Sequence, residues 1–131
     1  MILDTSALLA ILLDEPEAAE FKALLLASEN PLISAVSFVE ASILAESRGG
    51  DGSVRQLDAF LLTAGIVIEP VSEQQALAAR QAYSDYGKGR HVAGLNLGDC
   101  FPYALAKVTG EPLLFKGNDF RRTDVTPAFG L

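Results

Sequence analysis

The chain has 131 residues, half of them hydrophobic, with a net charge of −7, one Cys and one His. This length fits one domain, residues 1–131, and the apolar share is enough for a packed core rather than a disordered chain. A single Cys excludes an internal disulfide and a Cys-based zinc site, and the apolar stretches are too short to span a bilayer, so no membrane association is expected. The first residues enter an apolar segment with no basic leader, so we expect no signal peptide and a cytoplasmic protein.

Hydrophobic spacing and turn residues divide the chain into alternating strands and helices. In chain order, the pattern predicts a strand at residues 1–4, helices at 6–13 and 17–27, a strand at 32–34, helices at 37–46 and 54–63, a strand at 66–71, helices at 72–86 and 97–108, a strand at 113–116 and a fifth strand at 125–128. Strands that alternate with helices favour parallel pairing, with helices on both faces of the sheet. The sequence therefore predicts an α/β fold of three layers around a mostly parallel central sheet of four to five strands.

Four acidic residues lie at junctions of these predicted elements. Asp4 ends the first strand, and Glu40 lies among apolar residues of the helix at 37–46. Asp99 lies near the start of the helix at 97–108, and Asp119 follows the strand at 113–116. Ligands of parallel α/β folds bind beyond the carboxyl ends of the strands. We therefore expect Asp4 and Asp119 to converge.

Each acid also has a purely structural interpretation. Asp4 could cap the helix that follows it, although Ser6 could take that place, and either Asn96 or Asp99 could cap the helix at 97–108. Glu40 could pair with an Arg. An acid beside an apolar run is costly unless it is paired or bound to a cation, and four in one small domain favour a binding site. Because the chain has one His and one Cys, the site expected is an oxygen-ligand site for Mg²⁺ or Mn²⁺.

Basic residues are concentrated in the last third of the chain. Residues 1–80 hold 4 Lys and Arg against 12 Asp and Glu, whereas residues 81–131 hold 6 against 5. The overall negative charge argues against unspecific nucleic-acid binding, but the basic residues flank two of the four acids. Five of them are candidates for contacts with phosphate groups: Lys88, Arg90, Lys116, Arg121 and Arg122.

Several segments carry a resemblance to a known family. They are Ile2-Leu3-Asp4-Thr5-Ser6-Ala7, Ser37-Phe38-Val39-Glu40-Ala41, the run at 89–105, Leu114-Phe115-Lys116-Gly117-Asn118-Asp119-Phe120 and Thr123-Asp124-Val125. In this order and spacing, the chain resembles the PIN-domain ribonucleases and, within them, the VapC toxins of bacterial toxin–antitoxin modules. The resemblance covers essentially the whole chain.

The resemblance implies a PIN-like nuclease domain that hydrolyses RNA phosphodiester bonds with metal-activated water, as the toxin of a type II toxin–antitoxin system. It implies Asp4, Asp99 and Asp119 as ligands of Mg²⁺ or Mn²⁺, and Glu40 as a further ligand or the residue that orients the attacking water. The residues expected to hold these acids in place are Thr5, Ser6, Asn118 and Asp124.

The resemblance also implies partners. These are an RNA substrate, a cognate VapB-type antitoxin, a second copy of the chain in a homodimer, and DNA only indirectly through the antitoxin. Two other interpretations stay open. One is a catalytically silent PIN-like binding module, and the other is a switch domain that accepts phosphate on an Asp. The switch would need an acidic pair near the first strand, which this chain lacks.

Overall fold

The computed structural model describes residues 1–129, so the last two residues of the predicted domain lie outside the described residues. The elements in chain order are β1 (Ile2–Leu3), α1 (Thr5–Leu12), α2 (Ala18–Leu26), β2 (Leu32–Ser34), α3 (Ala35–Gly49), α4 (Ser53–Ala64), β3 (Val67–Glu69), α5 (Glu73–Tyr86), α6 (Cys100–Thr109), β4 (Leu113–Leu114) and a 3₁₀ helix (Phe120–Arg122). The predicted alternation of strands and helices is confirmed.

The four strands form one parallel sheet in the order β3-β2-β1-β4. Ile2 of β1 is aligned with Leu32 of β2 on one side and with Leu113 of β4 on the other. The predicted α/β fold with a parallel central sheet is therefore confirmed, with four strands. Since β1 and β4 are neighbours, their carboxyl ends lie side by side, and these ends lead to Asp4 and to the segment that contains Asp119.

Helices cover both faces of the sheet. Adjacent residues of a strand point to opposite faces, and Leu3 packs in a core cluster with residues of α1, α2, α3 and α4. Ile2 packs in a second cluster with residues of α5 and α6. The two clusters and the sheet between them give the three predicted layers.

The start of α3 is set by Ser34, whose hydroxyl accepts a hydrogen bond from the Val36 N–H at 3.3 Å. This cap starts the helix at Ala35, two residues before the predicted start, and α3 then extends to Gly49. Ser72 caps α5 in the same way, accepting from the Gln75 N–H at 3.1 Å. Within residues 1–129, no helix has the length and hydrophobicity needed to span a bilayer.

The predicted fifth strand at 125–128 is wrong. This segment makes only an isolated parallel bridge, between Leu113 and Pro127. The Leu113 N–H donates to the Thr126 carbonyl, and the Ala128 N–H donates back to the Leu113 carbonyl, both at 2.9 Å. Both hydrogen bonds involve Leu113, and β4 is only two residues long, so the contact is a single bridge and not a strand. Val125 is nevertheless buried in the core.

Candidate metal centre

Asp4 lies directly after β1 and caps α1. Its Oδ2 accepts hydrogen bonds from the Ser6 N–H at 3.0 Å and from the Ser6 hydroxyl at 2.5 Å. The capping role considered above is therefore real, and it leaves Oδ1 available for another partner. Asp4 is only 5% exposed. Burial raises the pKa of Asp4 to about 6, the hydrogen bonds from Ser6 oppose this shift, and the charges of Asp99 and Glu40 add to it.

Ser6 connects Asp4 to the end of the neighbouring strand. While its hydroxyl donates to Asp4, the same oxygen accepts a hydrogen bond from the Lys116 N–H at 3.0 Å. The Asp4 N–H also donates to the Leu114 carbonyl at 2.9 Å. Asp4 is thus fixed against the segment that leads from β4 to Asp119.

Glu40 projects from the middle of α3 and is half-buried. Its Oε2 lies against Gly98, where an added Cβ would stand 2.7 Å from that oxygen. Only Gly permits this approach, so Gly98 brings the carboxylate of Glu40 next to Asp99. Within residues 1–129, Glu40 makes no ion pair, so the alternative in which an Arg neutralises it is not realised.

Asp99 precedes α6 in a turn closed by two reciprocal hydrogen bonds. The Asn96 N–H donates to Asp99 Oδ2 at 3.0 Å, and the Asp99 N–H donates to Asn96 Oδ1 at 2.9 Å. Both residues considered as caps therefore stabilise one turn, which is why α6 begins at Cys100 and not at the predicted residue 97. Burial raises the pKa of Asp99. The hydrogen bond from Asn96 opposes this shift, while the charges of Glu40 and Asp119 reinforce it.

Asp119 immediately precedes the 3₁₀ helix and is exposed. Its negative charge nevertheless helps to raise the pKa of Asp99. All four acids are thus linked electrostatically, since Asp4 is influenced by Asp99 and Glu40, and Asp99 by Glu40 and Asp119.

The donor set suits a hard cation, because Mg²⁺ and Mn²⁺ prefer carboxylate oxygens. Like charges destabilise one another, and buried Asp4 would be stabilised in its charged form by a cation. Across residues 1–129, no group of three Asp, Glu, His or Cys side chains already has the placement needed to hold one ion. Coordination of one ion by three of these acids therefore requires some of their side chains to change position.

The family model for the PIN domain matches residues 1–125. The chain belongs to the PIN-domain family. The resemblance derived from the sequence motifs is thereby confirmed.

Sequence relatives within the family are named as VapC ribonucleases. Ribonuclease VapC30 of Mycobacterium tuberculosis is 51% identical over 125 residues, which cover 95% of each chain. Ribonuclease VapC of Mycolicibacterium smegmatis is 53% identical over 125 residues, covering 95% of this chain and 97% of the relative. Ribonuclease VapC28 of Mycobacterium tuberculosis is 48% identical over 129 residues, covering 98% and 97%.

Solved structures support the PIN fold. The chain is similar to VapC20 of Mycobacterium tuberculosis, described as a toxin that cleaves the sarcin–ricin loop, with a TM-score of 0.77, 16% identity and 95% coverage of each chain. It is also similar to a chain of a toxin–antitoxin complex from Klebsiella pneumoniae, with a TM-score of 0.72, 20% identity, and coverage of 99% and 98%. At these identities the likeness shows the fold.

Thr5 and Asn118, two of the residues expected to support the acids, make contacts with other parts of the chain. The Thr5 hydroxyl donates to the Ser37 carbonyl at 3.2 Å, so it positions the start of α3 rather than Asp4. The Asn118 carbonyl accepts from the Arg121 N–H at 3.2 Å and closes the turn around Asp119.

Asp124 makes its contacts with α6. Its carboxylate accepts a short hydrogen bond from the Tyr103 hydroxyl and another from Lys107 Nζ at 3.0 Å. The hydrogen bond from Tyr103 is the largest cause of a lowered pKa of Asp124. Asp124 therefore anchors the segment after the 3₁₀ helix to α6, and its part in holding the acids stays a prediction.

The basic residues also differ from one another in their surroundings. Lys116 Nζ lies 3.4 Å from carboxylate oxygens of both Glu15 and Glu17, so its charge is already compensated within the chain. Its role as a phosphate contact stays a prediction, in which a phosphate would compete with these two carboxylates. Arg121 stacks over the rings of Phe115 and Phe129, with its guanidinium carbon 5.7 and 5.0 Å from their centroids.

The remaining basic residues border the loop before α6. Arg122 donates to the Val92 carbonyl at 3.3 Å, and the Arg90 guanidinium carbon lies 6.0 Å from the centre of the Tyr83 ring. Lys88 is exposed in the same loop.

Gly98 was not identified as part of the site from the sequence. A Gly directly before a candidate acid is nevertheless a signal that another group approaches the backbone closely.

Proposed function

We propose that the chain is a cytoplasmic endoribonuclease toxin of a type II toxin–antitoxin system, dependent on Mg²⁺ or Mn²⁺. The observation that supports the proposal is that four acids from separate elements of a PIN domain lie close enough to affect one another's pKa: Asp99 and Glu40 raise that of Asp4, and Glu40 and Asp119 raise that of Asp99. The names of the sequence relatives, all VapC ribonucleases, support the choice of RNA as substrate.

In this proposal Asp4, Asp99 and Asp119 hold the metal, and Glu40 helps to hold it or orients the attacking water. A bound Mg²⁺ or Mn²⁺ supplies acidified water and offsets charge on the phosphodiester. Ser6 keeps the Asp4 carboxylate oriented through two hydrogen bonds. The Asn96 N–H does the same for Asp99.

Basic side chains near the acids would bind the RNA backbone. We assign this role to Lys88, Arg90, Arg121 and Arg122, which lie in the loop before α6 and around the 3₁₀ helix. Lys116 would contact a phosphate only by exchanging its ion pairs with Glu15 and Glu17. Phosphate contacts position the strand without reading its sequence.

A toxin of this kind needs an inhibitor, and we propose a VapB-type antitoxin that inserts an Arg or Lys among the acids. A carboxylate cluster attracts such a donor. A groove of about 660 Å³ runs along α3 beside Glu40, and its other lining residues are Ala35, Val36, Val39, Ile43 and Leu44. This apolar groove suits the segment that flanks the inserted cation. We further propose a homodimer, with DNA contacted only through the antitoxin.

The deciding experiment uses purified, antitoxin-free protein and a mixture of structured and single-stranded RNA. Cleavage should stop with EDTA and return with Mg²⁺ or Mn²⁺. Asp99→Asn should abolish cleavage, because it removes a ligand charge while keeping the shape and the capping turn. Asp58→Asn, which changes an exposed acid on α4, is the matched control and should cleave like the parent.

One observation favours a second candidate, the catalytically silent binding module. Within residues 1–129, no three candidate ligands have the placement needed to hold one ion. This candidate predicts RNA binding without cleavage in any divalent metal, and equal behaviour of Asp99→Asn and the parent. Co-expression with the reading frame upstream, followed by mass measurement of the purified complex, tests the antitoxin and the homodimer independently of catalysis.

A further inference from the structure

A second cleft lies between α5 and the loop before α6, and the function proposed above does not use it. It has a volume of about 370 Å³, and Tyr83 and Arg80 of α5 face Leu97, Cys100 and Phe101 across it. Its surface is predominantly apolar, with one cation among its lining residues. The size and the mixture of an aromatic ring with few polar groups suit a flat organic group.

Tyr83 and Leu97 present large apolar surfaces to solvent at this cleft. Tyr83 is 37% exposed and Leu97 is 73% exposed, so both can be reached by a ligand in the cleft. The Arg90 guanidinium lies over the Tyr83 ring, 6.0 Å from its centre. Aromatic rings with an adjacent Arg are the groups that stack unpaired nucleobases in proteins that bind single strands.

The position of the cleft connects it to the acid cluster. Leu97 lies two residues before Asp99, and Cys100 directly follows it. The turn that fixes Asp99 through Asn96 therefore also forms one wall of the cleft. Because Tyr83, Leu97 and Cys100 line the same cleft, the cleft adjoins the turn that holds Asp99.

The charges at the cleft fit a nucleic acid. Arg80 lines it and the Arg90 guanidinium lies over Tyr83, so two cations lie at the cleft in a chain whose net charge is −7. Apolar walls with cations at the rim match a polyanion with flat, uncharged bases. A protein partner would gain the apolar contact but would leave these cations without phosphates.

We propose that this cleft binds one unpaired nucleobase of the substrate RNA, next to the phosphodiester that is cleaved, by stacking it on Tyr83. The proposal rests on the ribonuclease function proposed above. It assigns Tyr83 and Leu97 to substrate selection and not to catalysis. It also means that the chain cleaves RNA where a base is free to leave its helix.

The test combines variants of the protein with abasic RNA. The bond that the parent cleaves in one RNA is mapped first, and a single abasic nucleotide is then placed at each position around it. At one position close to the cleaved bond, the abasic RNA should lower kcat/KM of the parent by about tenfold, which is the usual size of a stacking contribution. Tyr83→Leu should lower kcat/KM on the intact RNA by the same factor and should then be insensitive to that abasic position. Tyr83→Phe, which keeps the ring, should behave like the parent.

A leucine pair provides the matched control. Leu97→Ala should lower kcat/KM, whereas Leu62→Ala, which removes an 84% exposed leucine on α4, should not. The loss of kcat/KM from Tyr83→Leu could instead multiply with the loss from the abasic nucleotide at every position. That result would overturn the proposal while leaving the ribonuclease function intact. Conversion of a dimer to a monomer by Tyr83→Leu in size-exclusion with mass measurement would also overturn it, and would assign the cleft to a subunit interface. Absence of any metal-dependent RNA cleavage by the parent would overturn this proposal and the proposed function together.

Discussion

Replacement of Asp4 with Asn should stabilise the metal-free protein, by an amount that depends on pH. The pKa of Asp4 is raised from 3.8 to about 6 in the folded chain, mainly by burial. The folded protein then binds this proton more tightly than the unfolded chain does. The stability that the neutral acid contributes is therefore present below the unfolded pKa and is lost as the pH rises through the folded pKa. At about 1.4 kcal/mol for each pKa unit, the loss near neutral pH amounts to about 3 kcal/mol.

The assay is urea unfolding in EDTA from about pH 4 to about pH 8, with the parent and Asp4→Asn compared at each pH. Asn keeps an oxygen that can accept from Ser6 but carries no charge. The difference in the free energy of unfolding, variant minus parent, should therefore grow by about 3 kcal/mol across this range, with most of the change between pH 4 and pH 6. Asp58→Asn removes an exposed acid and should give a difference that stays flat. A flat or falling difference for Asp4→Asn would refute the assignment of Asp4 as a buried, destabilised acid.

The other predictions concern the same cluster and its surroundings. Mg²⁺ or Mn²⁺ at 100 times Kd should stabilise the parent by about 2.7 kcal/mol and so raise its melting temperature. In a thermal melt, Asp4→Asn should remove most of this shift. Gly98→Ala should slow RNA cleavage while the free energy of unfolding in urea stays nearly unchanged. The new Cβ would lie 2.7 Å from Glu40 Oε2 and would displace that carboxylate. An unchanged kcat would show that the position of Glu40 does not matter. Tyr103→Phe should lower the free energy of unfolding by about 1 kcal/mol through the lost hydrogen bond to Asp124 while the metal-induced shift stays the same.

The sequence was a good guide to the fold because its helices and strands are separated by strong local signals. The polar and glycine-rich breaks isolate each apolar segment, and parallel pairing follows from the alternation itself. The fifth strand was not predictable in this way. Residues 125–128 have an apolar, β-prone composition, but whether they pair along their length depends on the neighbouring strand β4, which is only two residues long.

The candidate site was predictable at the level of residues and less so at the level of contacts. Acids that end a strand or begin a helix can be located from local sequence, and their mutual influence follows from the topology. The partners of Asp124 and Lys116 could not be located, because Tyr103, Glu15 and Glu17 are distant in sequence and reach them only after the layers have packed. The hydrogen bond from Thr5 to Ser37 likewise connects residues that no local pattern relates.

The hydrogen bond between the Ser6 hydroxyl and the Lys116 N–H spans 110 positions of sequence. During synthesis, Asp4 leaves the ribosome first, yet β1 has no β4 beside it until nearly the whole domain has been made. A growing chain therefore carries its first acid without the neighbours that complete the cluster. If the chain is the toxin proposed here, its order of synthesis delays activity until translation of the domain is almost finished, and prematurely terminated products that lack β4 are harmless to the cell that makes them.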